Sequence, residues 1–121
     1  MNNFIGSIPI DLASALERTG GEMDFLEELI EMFIGDFDEK YSALKDAVNQ
    51  KDAVQVRELA HSLKGSSASL GFTALQKTFF QLETAGRDNN LFDAEKKLDL
   101  LLSQFNELKT YLENRNKTEQ D

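Results

Sequence analysis

The sequence contains no cysteine, one proline (Pro9) and one histidine (His61). Without cysteine there is neither a disulfide framework nor a thiolate metal site, a state that fits a reducing compartment. With its only proline ahead of every periodic segment and few clustered β-branched residues, the composition favours helix over sheet. Basic residues are also scarce: 13 Lys and Arg against 22 Asp and Glu leave a formal net charge of −9. Such a chain lacks the basic stripe needed to bind a nucleic-acid backbone and is not drawn to an anionic membrane surface. No apolar run approaches the roughly 20 residues of a membrane span. Met1-Asn2-Asn3-Phe4 lacks the basic region and apolar core of a signal peptide, so a cytoplasmic protein is expected.

What is present is one domain's worth of chain, 121 residues at 40% hydrophobic, without internal repeat or low-complexity stretch. Residues 1–9 form a weakly patterned lead-in, 10–114 carry the periodic segments, and 115–121 form a polar tail that should fray. Asp11 opens a short amphipathic segment with Leu12 and Leu16 on one edge, stopped by Thr19-Gly20-Gly21. Leu26, Leu29, Ile30, Phe33, Phe37, Leu44 and Val48 then keep the helical period from about Glu22 to Asn49. In that helix Met32 reads as core filling, although with Asp36 it shares an edge that could border the histidine's face. Gly35 reads equally as a surface glycine or as a point of close approach.

Asp52 is a reasonable N-cap for the next helix, which runs to about Leu70 before Gly71. Phe72, Leu75, Phe79 and Leu82 mark another face ending near Ala85-Gly86, with Phe80 either a core flank or part of an exposed patch. Asn90 is a candidate cap for a last helix carrying Ala94, Leu98, Leu101, Phe105, Leu108 and Leu112. Four long amphipathic segments joined by short turns predict an all-α fold. The expected architecture is an antiparallel up-down-up-down four-helix bundle, with the short extra N-terminal helix across one end.

The chemistry concentrates in Ala60-His61-Ser62-Leu63-Lys64-Gly65-Ser66-Ser67-Ala68-Ser69-Leu70-Gly71. At about 100° per residue, Val56, Leu59, Leu63 and Leu70 form an apolar stripe, and His61 falls almost opposite it. Its neighbours on the outward face are Arg57, Lys64, Gly65 and Ala68. An outward imidazole is a nucleophile able to attack phosphorus through one ring nitrogen. Lys64 could offset the charge of a phosphoryl group there, and Gly65, lacking Cβ, lets another molecule come close despite a helix-propensity cost of about 1 kcal/mol. Gln76 and Glu83 lie at the edge of the following helix, either as ordinary boundary residues or as partners for the imidazole.

The run A-H-x-L-K-G-S-S-A-x-L-G resembles the signature of histidine-containing phosphotransfer (HPt) domains, and the helices are similar in length and order from about Ile10 to Leu112. The resemblance implies a carrier that relays phosphoryl groups between aspartates of response-regulator receiver domains. It makes His61 the phosphoacceptor, Lys64 its electrostatic support, and Gly65 the clearance for a docking partner, with Ser62, Ala68 and Arg57 around it. No nucleotide-binding glycine loop and no carboxylate cluster for Mg²⁺ is evident, which argues against ATP as substrate and against a kinase activity of its own. No metal and no cofactor is expected in the chain, Mg²⁺ belonging to the partner receiver. The partners implied are receiver domains or a hybrid histidine kinase, met by a monomer.

Two other readings stay open on the residues alone. A histidine-kinase dimerisation domain also exposes a histidine on a helical bundle, but Ser62 and the lack of proline after Pro9 count against it. A non-catalytic interaction bundle would make His61 incidental.

Overall fold

A computed structural model describes the backbone of residues 9–120 and the side chains of residues 9–115. The lead-in over 1–8 and the terminal Asp121 lie outside the described residues. All regular structure among the described residues is helical: α1 (Leu12–Arg18), α2 (Met23–Asn49), α3 (Ala53–Ser69), α4 (Thr73–Arg87) and α5 (Ala94–Gln120). Around the bundle, α2 packs on α3, α3 on α4, α4 on α5, and α5 closes back on α2, while α1 lies against α2 and α3. Turns of a few residues make consecutive helices antiparallel neighbours. The result is the expected four-helix bundle with one short extra helix.

The helices start and stop where local chemistry dictates. Asp11 and Asp52 each accept a hydrogen bond at Oδ1 from the amide three residues on, Ser14 and Gln55, both at 3.2 Å. α3 ends in a Schellman motif, with the Phe72 amide donating to the Ser67 carbonyl at 2.9 Å and the Gly71 amide to the Ala68 carbonyl at 3.2 Å. Gly71 takes φ +74° there, and a Cβ on it would stand 2.5 Å from the Asp11 carbonyl oxygen. The Asp11 amide donates to the Gly71 carbonyl at 2.7 Å, so this glycine pins α1 to the end of α3. The same motif ends α2 and α4 with left-handed residues that carry side chains, Lys51 at φ 57° and Asn89 at φ 52°.

The core is built from the periodic positions, with Leu26, Leu44, Val56, Phe72, Leu75, Phe79, Leu82, Leu101 and Leu108 essentially inaccessible. Each such Leu or Phe contributes about 1.5–3 kcal/mol by leaving water. Phe37 of α2 stacks on Phe105 of α5 with ring centroids 3.7 Å apart. The closest helix pair is α3 and α4, because Gly86 has no side chain: a Cβ there would sit 2.6 Å from both the Ala53 carbonyl oxygen and the Arg57 amide nitrogen. That contact brings the polar edge of α4 up to the outward face of α3.

Three local expectations are corrected. The backbone stays helical to Gln120, into the polar tail beginning at 115 that should fray; Glu113, Arg115 and Lys117 are good helix formers and neither glycine nor proline interrupts them. Asn90 does not cap α5, which starts at Ala94; its Oδ1 instead accepts from the Phe92 amide at 3.3 Å in the preceding loop. Met32 is not core filling but 62% exposed. The wide apolar arc of α2 exceeds what α3 and α5 cover, and Met32 lies on its uncovered edge.

Candidate functional site

His61 sits on α3 with its side chain 68% exposed, on the side away from the buried Val56 and Leu63. Its Nδ1 lies 2.9 Å from Oε2 of Glu83 on α4. Lys64, one turn further along α3, places Nζ 2.7 Å from Oε1 of the same carboxylate. One carboxylate therefore holds the two residues, each oxygen with its own partner. Lys64 draws the Glu83 carboxyl below the ordinary carboxylate range, His61 adds to this, and partial burial opposes it. Glu83 is thus an anion at neutral pH. An ionised carboxylate only accepts hydrogen bonds, so Nδ1 carries the hydrogen in this contact, and in the neutral ring the lone pair is then on Nε2. No protein group bonds Nε2 among the described residues.

Lys64 is restrained a second time, its ammonium lying 5.3 Å from the centroid of the Phe80 ring. Phe80 is half exposed, which makes it part of the outward surface rather than a core flank. Gly65 borders His61 on the other side, and a Cβ on it would meet nothing within 4 Å. Unlike Gly71 and Gly86, it meets no contact among the described residues that requires a glycine. Gly35 on α2 is open in the same way.

Beside this face, between α2 and α3, runs a groove of about 290 Å³ lined by Leu29, Met32, Phe33, Asp36, Leu63 and Ser66, among others. Met32 and Asp36 thus share the edge anticipated for them. Ser62 is exposed, and the Ala68 carbonyl accepts a hydrogen bond from the guanidinium of Arg18 on α1. Arg57 is exposed and lies 4.0 Å from Glu58 instead of over the ring. Gln76, the other candidate partner, does not reach the imidazole.

Two features escaped sequence reasoning: the Lys64–Phe80 stacking and the reach of Arg18 to α3. The first joins α3 to α4, the second α1 to α3, and neither has a local signal. Among the described residues, no group of three or more His, Cys, Asp or Glu is placed to hold a metal ion. No helix there is long and apolar enough to cross a membrane.

A four-helix bundle that presents one restrained, exposed histidine on a helix offers that side chain at an open surface rather than in an enclosed active site. The family model of the Hpt domain matches residues 28–115, most of the bundle, and the chain belongs to that family. It is a histidine phosphotransfer module of phosphorelay signalling. Among curated proteins it is similar to phosphorelay protein LuxU of Vibrio vulnificus, in strains YJ016 and CMCP6. The match is 28% identical over 82 residues, 68% of this chain and 70% of the relative. Among solved structures, histidine-containing phosphotransfer protein B (HptB) from Pseudomonas aeruginosa PAO1 superposes with a TM-score of 0.80. That match is 23% identical and covers 92% of this chain and 97% of the other, a likeness of fold.

Proposed function

We propose that His61 is the phosphoacceptor, taking a phosphoryl group from the phosphoaspartate of one response-regulator receiver domain and passing it to the aspartate of another. The observation that carries this reading is the Glu83 contact, 2.9 Å at Nδ1, on a ring whose side chain is 68% exposed. In-line transfer requires a nucleophile held in one orientation with free approach to its reacting atom. Glu83 provides the first condition, and the open space at Gly65 supports the second.

Transfer of a phosphoryl group also requires charge stabilisation on its equatorial oxygens. This site offers one cation, Lys64, already engaged by Glu83. The Mg²⁺ and most of the transition-state electrostatics belong to the partner receiver. The chain acts as a monomeric cytoplasmic intermediate without a cofactor or an ATP-dependent kinase activity of its own. Its donor is a receiver domain, whether free-standing or part of a hybrid histidine kinase.

The test is incubation with phosphorylated receiver domains, following acid-labile phosphate on wild type and His61→Gln. Label on the wild type alone is expected, with the variant's unfolding free energy within about 0.5 kcal/mol of wild type because the side chain is exposed. Label of equal amount on His61→Gln would refute the assignment. Absence of label from every receiver, with the protein folded, would favour an interaction bundle in which His61 is incidental.

A further inference from the structure

We infer that the groove between α2 and α3 selects among receiver domains by charge, admitting one that lays in it an apolar helix face flanked by Lys and Arg. The inference rests on His61 being the phosphoacceptor and names the kind of receiver that reaches it. The two flanks of His61 differ. Toward α4 the surface is filled: Glu83 holds both Nδ1 and Lys64, and Lys64 lies beside the Phe80 ring. Toward α2 it is low and open, since a Cβ on Gly65 or on Gly35 would meet nothing within 4 Å.

The groove starts level with His61. Because α2 and α3 run antiparallel from their turn, Lys40 stands beside Leu63 at that end, and Leu29 lies near Leu70 at the other. At 1.5 Å per residue this is about 16 Å of α2, three turns of a docked helix. Leu29, Met32 and Phe33 supply apolar lining, and Phe25, two turns before Met32, continues the exposed edge. Such a row receives the apolar anchors that an amphipathic helix presents to a groove.

Charge decides which helix fits. Eight acidic residues fall between Glu22 and Glu39, a stretch without Lys or Arg, and they account for nearly all of the net charge of −9. None of the eight is in an ion pair among the described residues. The helix macrodipole favours acid only in the first turn, which covers Glu22 and Asp24 and leaves the others without that reason. Glu28, Asp36 and Glu39 stand four residues before, four after and seven after Met32, so three exposed carboxylates follow its edge of the helix. Lys40 is the one cation in the groove lining, at the His61 end. An anionic rim beside an apolar floor attracts a helix with cationic flanks and repels an anionic one. A second copy of this chain would bring the same acidic wall against itself, and residues 1–8 carry neither Lys nor Arg.

The experiment uses two sets of phosphorylated receiver domains, with and without Lys or Arg flanking the apolar helix beside the phosphoaspartate. Transfer to wild type, to Glu28→Gln/Asp36→Asn/Glu39→Gln and to the control Glu95→Gln/Asp99→Asn/Glu107→Gln on α5 is timed by rapid quench at low and high salt. Each rate is divided by the same protein's labelling rate with potassium phosphoramidate, a small donor that requires no receiver. Wild type is expected to favour the basic set by roughly tenfold or more at low salt, through KM rather than kcat, and to lose most of that preference at high salt. The α2 variant should show little preference at either salt, and the α5 control should keep it. With unphosphorylated basic receiver, amide shifts on the labelled chain should centre on Leu29, Met32, Gly35 and Gly65.

A wild type indifferent to receiver charge would overturn the inference, as would a preference that survives in the α2 variant. An equal loss in the α5 control would assign the effect to net charge alone and overturn it too. So would amide shifts confined to α4 around Phe80, or a concentration-dependent mass in sedimentation that gives the groove to a second copy. In each of these cases His61 is still labelled. If neither phosphoramidate nor any receiver labels His61, the phosphoacceptor reading itself fails and takes this inference with it.

Discussion

Replacing Gly65 should strengthen the fold and disable docking at once, a combination that few substitutions produce. The glycine lies inside α3, and a Cβ built on it meets nothing within 4 Å. Gly65→Ala therefore recovers the helix propensity that glycine forfeits, about 0.8–1 kcal/mol, and Gly65→Gln slightly less. In a domain of this size that raises Tm by about 3–6 °C. The added side chain stands one turn from His61 on the outward face, where a receiver's backbone has to approach. Misplacing reacting atoms by about 1 Å costs on the order of a hundredfold, so transfer from a phosphorylated receiver to Gly65→Gln should fall by about that factor. Labelling by phosphoramidate should not change, because a small donor requires no clearance. Urea unfolding followed by circular dichroism measures the first effect and rapid-quench transfer the second. Gly65→Gln that is more stable and still takes phosphate from the receiver at the wild-type rate would refute the clearance argument. Gly65→Ala that is less stable than wild type would refute the open geometry.

Gly86→Ala should do the reverse: its Cβ would meet backbone atoms of α3 at 2.6 Å, so the helices must part. A loss of about 1–3 kcal/mol in chemical denaturation is expected. Lys51→Gly relieves a left-handed residue at φ 57° and should add about 0.5–1 kcal/mol after the glycine's own entropy is counted, read as a higher urea midpoint at unchanged slope. Glu83, with its folded pKa below the ordinary value of 4.5, contributes stability that is fully present above that pH and is lost as pH falls through the lower folded value. The stability gap between wild type and Glu83→Gln should accordingly be widest near neutrality and close in acid, and a gap independent of pH would contradict the ion-pair origin.

Much of this was legible from spacing alone. The α3 stripe of Val56 and Leu63 is buried as its period requires, and His61 points away from it. Asp11 and Asp52 cap the helices they precede, because capping is settled within one turn of chain. Gly71 was visible as a helix stop, but its second duty beneath Asp11 was not, since that neighbour is 60 residues away in sequence. Met32 was misjudged for a related reason: the period places a residue on an edge of the arc but does not say how far a neighbouring helix extends over that edge. The α5 terminus was misjudged because apolar residues end before helix-forming ones do.

The sequence by itself determined the helices, their apolar faces, the outward direction of His61 and the phosphotransfer signature around it, all properties of residues within a turn or two of one another. Only the tertiary structure decided that Glu83 rather than Gln76 meets the imidazole, that Lys64 is spent on that same carboxylate, and that Gly65 is open while Gly86 is closed. Those outcomes depend on the rotation and register of α4 against α3, which the packing of Gly86 on the α3 backbone sets.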